Sequence, residues 1–116
     1  MSSSSDSSGL MLREGVLADA NRHGRAGCAF SGDVVEFFLK VEGGVVRDTG
    51  FVAGPGTYAR ASACWLADRI VGCRVDEAAG LSTCAVVRAL HLHPIGLSGA
   101  WLAMTALQAA LREISP

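Results

Sequence analysis

The sequence predicts an α+β domain in which helices gather on one face of a small antiparallel sheet. Three features carry that prediction. Residues 34–42 (VVEFFLKVE) alternate apolar and polar side chains with the period of a half-buried strand. Gly43-Gly44 separates that run from a second β-branched run, as in a tight hairpin. Beyond Gly54-Pro55-Gly56 the apolar period lengthens to that of a helix.

From the N-terminus, Leu10, Leu12, Val16, Leu17 and Ala20 recur at helical spacing, which predicts a short amphipathic helix from Leu10 to about Asn21, weakened by Gly15. The segment 22-RHGRAG-27, with two glycines among basic and titratable side chains, reads as a loop. In the first strand Val35, Phe37, Leu39 and Val41 face one way and Glu36, Phe38, Lys40 and Glu42 the other; the second strand runs from Val45 to about Ala53. The next helix places Ala59, Ala63, Leu66 and Ile70 on one stripe, with Thr57 as its N-cap and Gly72 as its C′ residue. Short helices follow around Asp76–Ala79 and Ser82–Leu90, and Pro94 interrupts the pattern. A last helix carries Ala100, Ala103, Met104, Leu107, Leu111 and Ile114 on its apolar stripe.

Composition narrows the function. A chain of 116 residues suits one domain, assigned to 10–116, behind a Ser-rich tail over residues 1–9 that lacks the basic and apolar regions of a signal peptide. Ten Lys and Arg stand against eleven Asp and Glu, for a net charge of −1, and they are scattered; this argues against a nucleic-acid surface. No run reaches the roughly 18 apolar residues of a membrane span, and the reading places the protein in the cytoplasm. No Ser/His/Asp spacing, nucleophile elbow or phosphate loop is present, so the chain reads as a non-enzyme.

Cys28, Cys64, Cys73 and Cys84 show no C-x-x-C pairing; in a reducing compartment they read as free thiols packed as small hydrophobes. His91 and His93 in 91-HLH-93 can offer two imidazoles from one side of an extended segment, or serve as solvated or hydrogen-bonded structural groups; His23 is a weaker candidate. Trp65 and Trp101 each have two readings, core packing or an exposed protein-contact face.

Three segments together resemble the iron–sulfur cluster assembly scaffolds of the IscU and NifU N-terminal type. The stretch 31-SGDVVEFFLKVEGGVVRDTGF-51 is similar to that family's Cys-Gly-Asp followed by a hairpin. The stretch 54-GPGTYARASACWLADRIVGCRVDEA-78 is similar to its Gly-Cys-Gly turn and Ala-x-Ala-Ser helix. The stretch 92-LHPIGLSGAWLAMTALQAALREI-114 is similar to its Leu-Pro-Pro segment, His-Cys pair and closing Ala-rich helix. No gap is needed from Phe51 to Ile114, and the resemblance covers about three quarters of the chain. The N-terminal 19-DANRHG-24 matches the family's Asn-Pro-x-Asn-x-Gly only at its glycine, and the chain between Gly24 and Ser31 is much shorter than in the family, which predicts a missing or stunted edge strand.

The resemblance implies the IscU/NifU-like fold and an iron–sulfur cluster, or iron or zinc, held by three cysteines with an aspartate and a histidine nearby. Carried over position by position, the first cysteine falls on Ser31, the aspartate on Asp33, the second cysteine on Gly56, the histidine on Ser98 and the third cysteine on Gly99. Asp33 alone keeps a ligand type, so the resemblance implies a degenerate or altered site, in which the glycines of the turn serve the backbone. Two cysteines offer a rewired metal site beside Asp33. Cys28 is three residues before Ser31, at most about 10 Å; Cys64 is eight residues past Gly56, roughly 12 Å along a helix. Arg60, close to the vacated site, is expected to pair with Asp33. The resemblance also implies a cysteine desulfurase or another iron–sulfur assembly protein as partner. In the family a chaperone reads Leu-Pro-Pro-Val-Lys; here 92-LHPIG-96 has glycine in the lysine's place, which argues against that recognition. The alternative is a protein-interaction or regulatory module that kept the fold and lost cluster binding.

Overall fold

The computed structural model describes residues 14–29, 31–54, 56–91 and 96–112. Among them three strands, β1 (Arg22–Gly27), β2 (Val34–Glu42) and β3 (Val45–Gly54), form an antiparallel sheet in the order β1-β2-β3. Four helices follow: α1 (Thr57–Ile70), α2 (Val75–Ala79), α3 (Thr83–Leu90) and α4 (Leu97–Arg112). The α+β expectation holds.

The β2–β3 hairpin turns at Gly43-Gly44, both in the left-handed region at φ 60° and 78°, where side-chain-bearing residues pay a steric penalty. Val35, Phe37 and Leu39 of β2 are fully buried, as their alternation predicts. On β3, inward positions change parity: Val46 is buried, and so are Thr49, Phe51 and Ala53. A register shift explains it, since Lys40 pairs with Asp48 and Val41 with Val46, leaving Arg47 as the extra residue of a bulge. Helix α1 lies over β3, and α4 lies over β1 and β2; the two helices pack on each other. Their inner stripes, Ala59, Ala63, Leu66 and Ile70 in α1 and Ala100, Ala103, Leu107 and Ala110 in α4, are fully buried. So many alanines let both backbones approach closely. No helix among the described residues is long and apolar enough to cross a membrane.

Two expectations fail at the N-terminal end. Residues 22–27 are not a loop but the edge strand β1, paired with β2 from Arg22↔Leu39 to Gly27↔Val34, so the edge strand is not missing; at six residues it is shorter than β2 with nine and β3 with ten. The helix expected over 10–21 is absent over 14–21, its first residues lying outside the described ones. Gly15 has φ 130°, and its N–H donates to the Phe51 carbonyl at 2.6 Å, while Glu14 bridges Phe51 at the free edge of β3. From there the chain crosses the outer face of the sheet, over Gly50, and reaches β1. Backbone pairing with two strands outweighs the local helical period.

The helices fall close to their expected places. Gly72, at φ 88°, follows α1, and Ser82 Oγ caps α3 by accepting the Ala85 N–H at 3.3 Å. Thr57 is not the N-cap of α1; it is the first helical residue, and Gly56 is the cap. Pro94 and Ile114 lie outside the described residues, as do the 1–9 tail and His93.

Candidate functional site

After β1 the chain makes a tight turn. Gly32 N–H donates to the Cys28 carbonyl and Cys28 N–H to the Asp33 carbonyl, each at 2.8 Å, and Ser31 Oγ accepts the Asp33 N–H at 3.2 Å. The turn aims Asp33 at the start of α1. There Oδ1 accepts the Gly56 N–H at 2.7 Å. Gly56 has no side chain to cap α1; the carboxylate of Asp33, from another segment, accepts the N–H of the cap residue itself. A negative group at the N-terminal end of a 14-residue helix is also favoured by the helix dipole.

Gly56 has φ −71° and ψ 140°, extended backbone open to any residue. The expectation that this glycine serves the turn is therefore corrected: what crowds a side chain there is the Asp33 carboxylate, which would have to move. A Cβ at 56 would lie 2.5 Å from Oδ2, 2.8 Å from Oδ1 and 2.9 Å from Cγ of Asp33. The same happens from the other side. A Cβ at Gly99, in the first turn of α4, would lie 2.8 Å from the Ala59 nitrogen and 2.9 Å from Tyr58 Cβ. At Gly96 it would lie 2.7 Å from Tyr58 Cδ1.

The structure thus brings Ser31, Asp33 and Gly56 together and sets Gly99 against the first turn of α1. Ser98 is exposed and points elsewhere, into a groove of about 610 Å³ that it lines with Thr83, Cys84, Leu97 and Trp101. Cys28 is half-buried against the core at the start of the Asp33 turn. Cys64 is half-buried two turns along α1, where burial, then the negative charges of Asp68 and Glu14, push its thiol above the ordinary cysteine range. Cys73 Sγ donates to the Arg69 carbonyl at 3.5 Å, and Cys84 is exposed. His23 is on β1, 2.7 Å from Glu36 Oε2, and His91 closes α3 at φ 52°. Among the described residues no group of three or more His, Cys, Asp or Glu is placed to hold a metal ion.

The expected Asp33–Arg60 ion pair does not form. Arg60 instead gives one nitrogen to both carboxylate oxygens of Glu14, at 2.7 and 2.9 Å, because the bridge to Phe51 at the edge of β3 holds Glu14 beside α1. Sequence reasoning also missed Tyr58, which the glycines at 96 and 99 accommodate. Two glycines three apart at a helix start were the available signal, since they share one face. Of the two tryptophans, Trp65 packs half-buried on the core and Trp101 is 58% exposed, beside Leu97 at 49%.

An iron–sulfur cluster calls for soft thiolates. The atoms gathered here are one carboxylate already bonded to an amide, one hydroxyl and two glycines that bring no donor side chain. They do not fit that group.

Comparison with known proteins gives a consistent picture. The family model described as NifU-like N terminal domain matches residues 12–115. The iron-sulfur cluster assembly protein IscU of Plasmodium falciparum (isolate 3D7) is 32% identical over 90 residues, 78% of this chain; the chain spans 54% of that relative's length. Among solved structures, a protein assigned as an iron–sulfur cluster assembly scaffold of the SUF system from Fervidobacterium islandicum AW-1 superposes with a TM-score of 0.73 at 18% identity, covering 92% of each chain. The N-terminal part of a NifU-like protein from Brucella abortus gives 0.70 at 20% identity, covering 88% of this chain and 84% of its own. At such identities the two structures speak for the fold.

Proposed function

Since this chain belongs to the NifU-like N-terminal domain family, we propose that it serves iron–sulfur cluster assembly as a scaffold-fold protein with an altered site, docking assembly partners rather than ligating a cluster at the family's positions. The observation that carries the reading is the Asp33 carboxylate bonded to the Gly56 N–H, over the place where the family has a ligand cysteine. In this reading residues 10–116 act as one domain, which the family match over 12–115 supports, and the protein works in the cytoplasm without catalysing a reaction.

A second observation favours the protein-interaction side. Tyr58, Leu97 and Trp101 are 40%, 49% and 58% exposed, and all three border the first turn of α4, which carries Ser98 and Gly99. Large apolar side chains gathered beside a groove are the usual anchors of a protein contact. The partner class that the family implies is the assembly machinery, a cysteine desulfurase first. The stretch 92–96, read by a chaperone in the family, falls almost entirely outside the described residues.

Anaerobic reconstitution with iron and sulfide, followed by absorption spectroscopy, tests the reading. The expected result is no stoichiometric chromophore on the wild-type chain. A stable cluster that disappears in Cys28→Ala or Cys64→Ala would overturn it and make those thiols ligands, with Asp33 beside them.

A further inference from the structure

We infer that the cysteine positions 56 and 99 of this chain are filled by its own packing: the Asp33 carboxylate occupies the space that a side chain at 56 would need, and the first turn of α1 the space that one at 99, and at the neighbouring 96, would need. The inference rests on the proposed function and deepens it, because it changes what the loss of the thiols means. Three independent replacements would leave an open cradle with the ligands missing. The geometry points instead to a closed one.

Glycines from two segments far apart in sequence yield to three residues at or beside the start of α1, Asp33, Tyr58 and Ala59. A Cβ at Gly56 meets the Asp33 carboxylate, which itself binds the Gly56 N–H. A Cβ at Gly99 meets the Ala59 nitrogen and the Tyr58 Cβ. A Cβ at Gly96 meets the Tyr58 ring, its three nearest atoms between 2.7 and 3.1 Å away. Neither Gly56 nor Gly99 is held by a left-handed backbone, so conformational freedom does not account for either. Close approach does. Real Cβ atoms are not found so near other atoms; a side chain at either position requires α1 or Asp33 to move.

The two obstacles differ in kind. Asp33 is the end of a short side chain and can rotate away from a Cβ at 56, at the cost of its bond to the Gly56 amide. At 99 the obstacle is the backbone of α1, which moves only with the helix and with the fully buried Ala59 and Ala63 that anchor it. Restoring cysteine at 31, 56 and 99 therefore does not restore a ligand set. It forces the helix start outward.

The test uses Cβ additions that bring no thiol chemistry. Thermal unfolding of the full chain is compared for wild type, Gly56→Ala, Asp33→Ala, the double variant Asp33→Ala/Gly56→Ala, and Gly99→Ala. The expected result is a Tm loss on the order of 5 °C or more for Gly99→Ala and a smaller one for Gly56→Ala. The double variant should be no less stable than Asp33→Ala alone, because the three atoms nearest a Cβ at 56 are then gone. Alanine at 56 and 99 within about 1 °C of wild type, or full additivity in the double variant, overturns the inference. A triple Ser31→Cys/Gly56→Cys/Gly99→Cys variant that keeps the wild-type Tm and gains a chromophore with iron and sulfide does the same; should that variant fail to fold, the alanine series still decides. Failure of the proposed function reads differently: it appears as a cluster on the wild-type chain.

Discussion

Gly24, in the middle of the edge strand β1, lies directly against the backbone of Ala110 in α4. A Cβ at 24 would enter the space of the Ala110 nitrogen and the Ala106 carbonyl oxygen. Both are main-chain atoms of a helix whose inner stripe is fully buried, so nothing cheap can yield. Gly24→Ala is expected to destabilise the fold by about 3 kcal/mol, the upper part of the usual range for overpacking. Urea unfolding checks this: the midpoint should fall with the slope unchanged, and a midpoint equal to wild type would mean that α4 does not sit on β1 as described.

The same glycine shows where the sequence stops being legible. In RHGRAG a glycine between basic residues carries a turn signal, and only the helix on its other side makes it a strand residue. Residues 14–21 mislead in the opposite way. Val16, Leu17 and Ala20 keep a helical period, yet their path is set by the carbonyls of Phe51 and Leu39, which no local pattern announces. The hairpin and the helices α1, α3 and α4 are legible because their periods, Gly43-Gly44 and Gly72 are local signals that tertiary packing reinforces. At the candidate site the resemblance brings Asp33 and Gly56 together. That Asp33 bonds Gly56 rather than Arg60 depends on where Glu14 ends up, 19 residues earlier in the chain, and on the crossing of the sheet.

Asn21 continues the sheet with its side chain. Its Nδ2 donates to the Val41 carbonyl and its Oδ1 accepts the Val41 N–H, both at 2.8 Å, the pair of bonds that a strand residue would otherwise exchange. Asn21→Ala leaves both backbone groups of Val41 without these bonds. A loss of about 1–2 kcal/mol is expected, together with faster hydrogen exchange at the Val41 amide. Unchanged protection of that amide would argue against the side-chain pairing.

The Arg60–Glu14 pair joins the N-terminal crossing to α1, but both side chains keep contact with water, at 39% and 29% of their surface. Exposed pairs contribute little because solvent screens them and ordering two side chains costs entropy. Glu14→Gln should therefore cost less than about 1 kcal/mol, and the difference from wild type should shrink in 1 M salt. A large loss that survives high salt would assign the contact a packing role instead of an electrostatic one.

Cys64 should be a slow nucleophile. Burial, Asp68 and Glu14 all favour its neutral thiol, so its thiolate forms at higher pH than that of an ordinary cysteine. Alkylation by iodoacetamide, followed residue by residue by peptide mass mapping, should label the exposed Cys84 first at neutral pH and bring up Cys64 only as the pH rises. Asp68→Asn removes one of the opposing charges and should shift the Cys64 profile towards lower pH. A Cys64 that reacts as fast as Cys84 near pH 7 would contradict the assignment.

Trp101 separates stability from docking. With 58% of its surface exposed, its removal uncovers little new apolar area, so Trp101→Ala should change the unfolding free energy by no more than about 0.5 kcal/mol. As an anchor of the proposed contact it should matter far more. Binding to a purified cysteine desulfurase, measured by calorimetry, should weaken by about tenfold or more in Trp101→Ala, with Leu97→Ala acting in the same direction and Val52→Ala, exposed on β3, as the control that leaves it unchanged. Wild-type binding unaffected by either substitution beside the groove would move the docking surface away from α4.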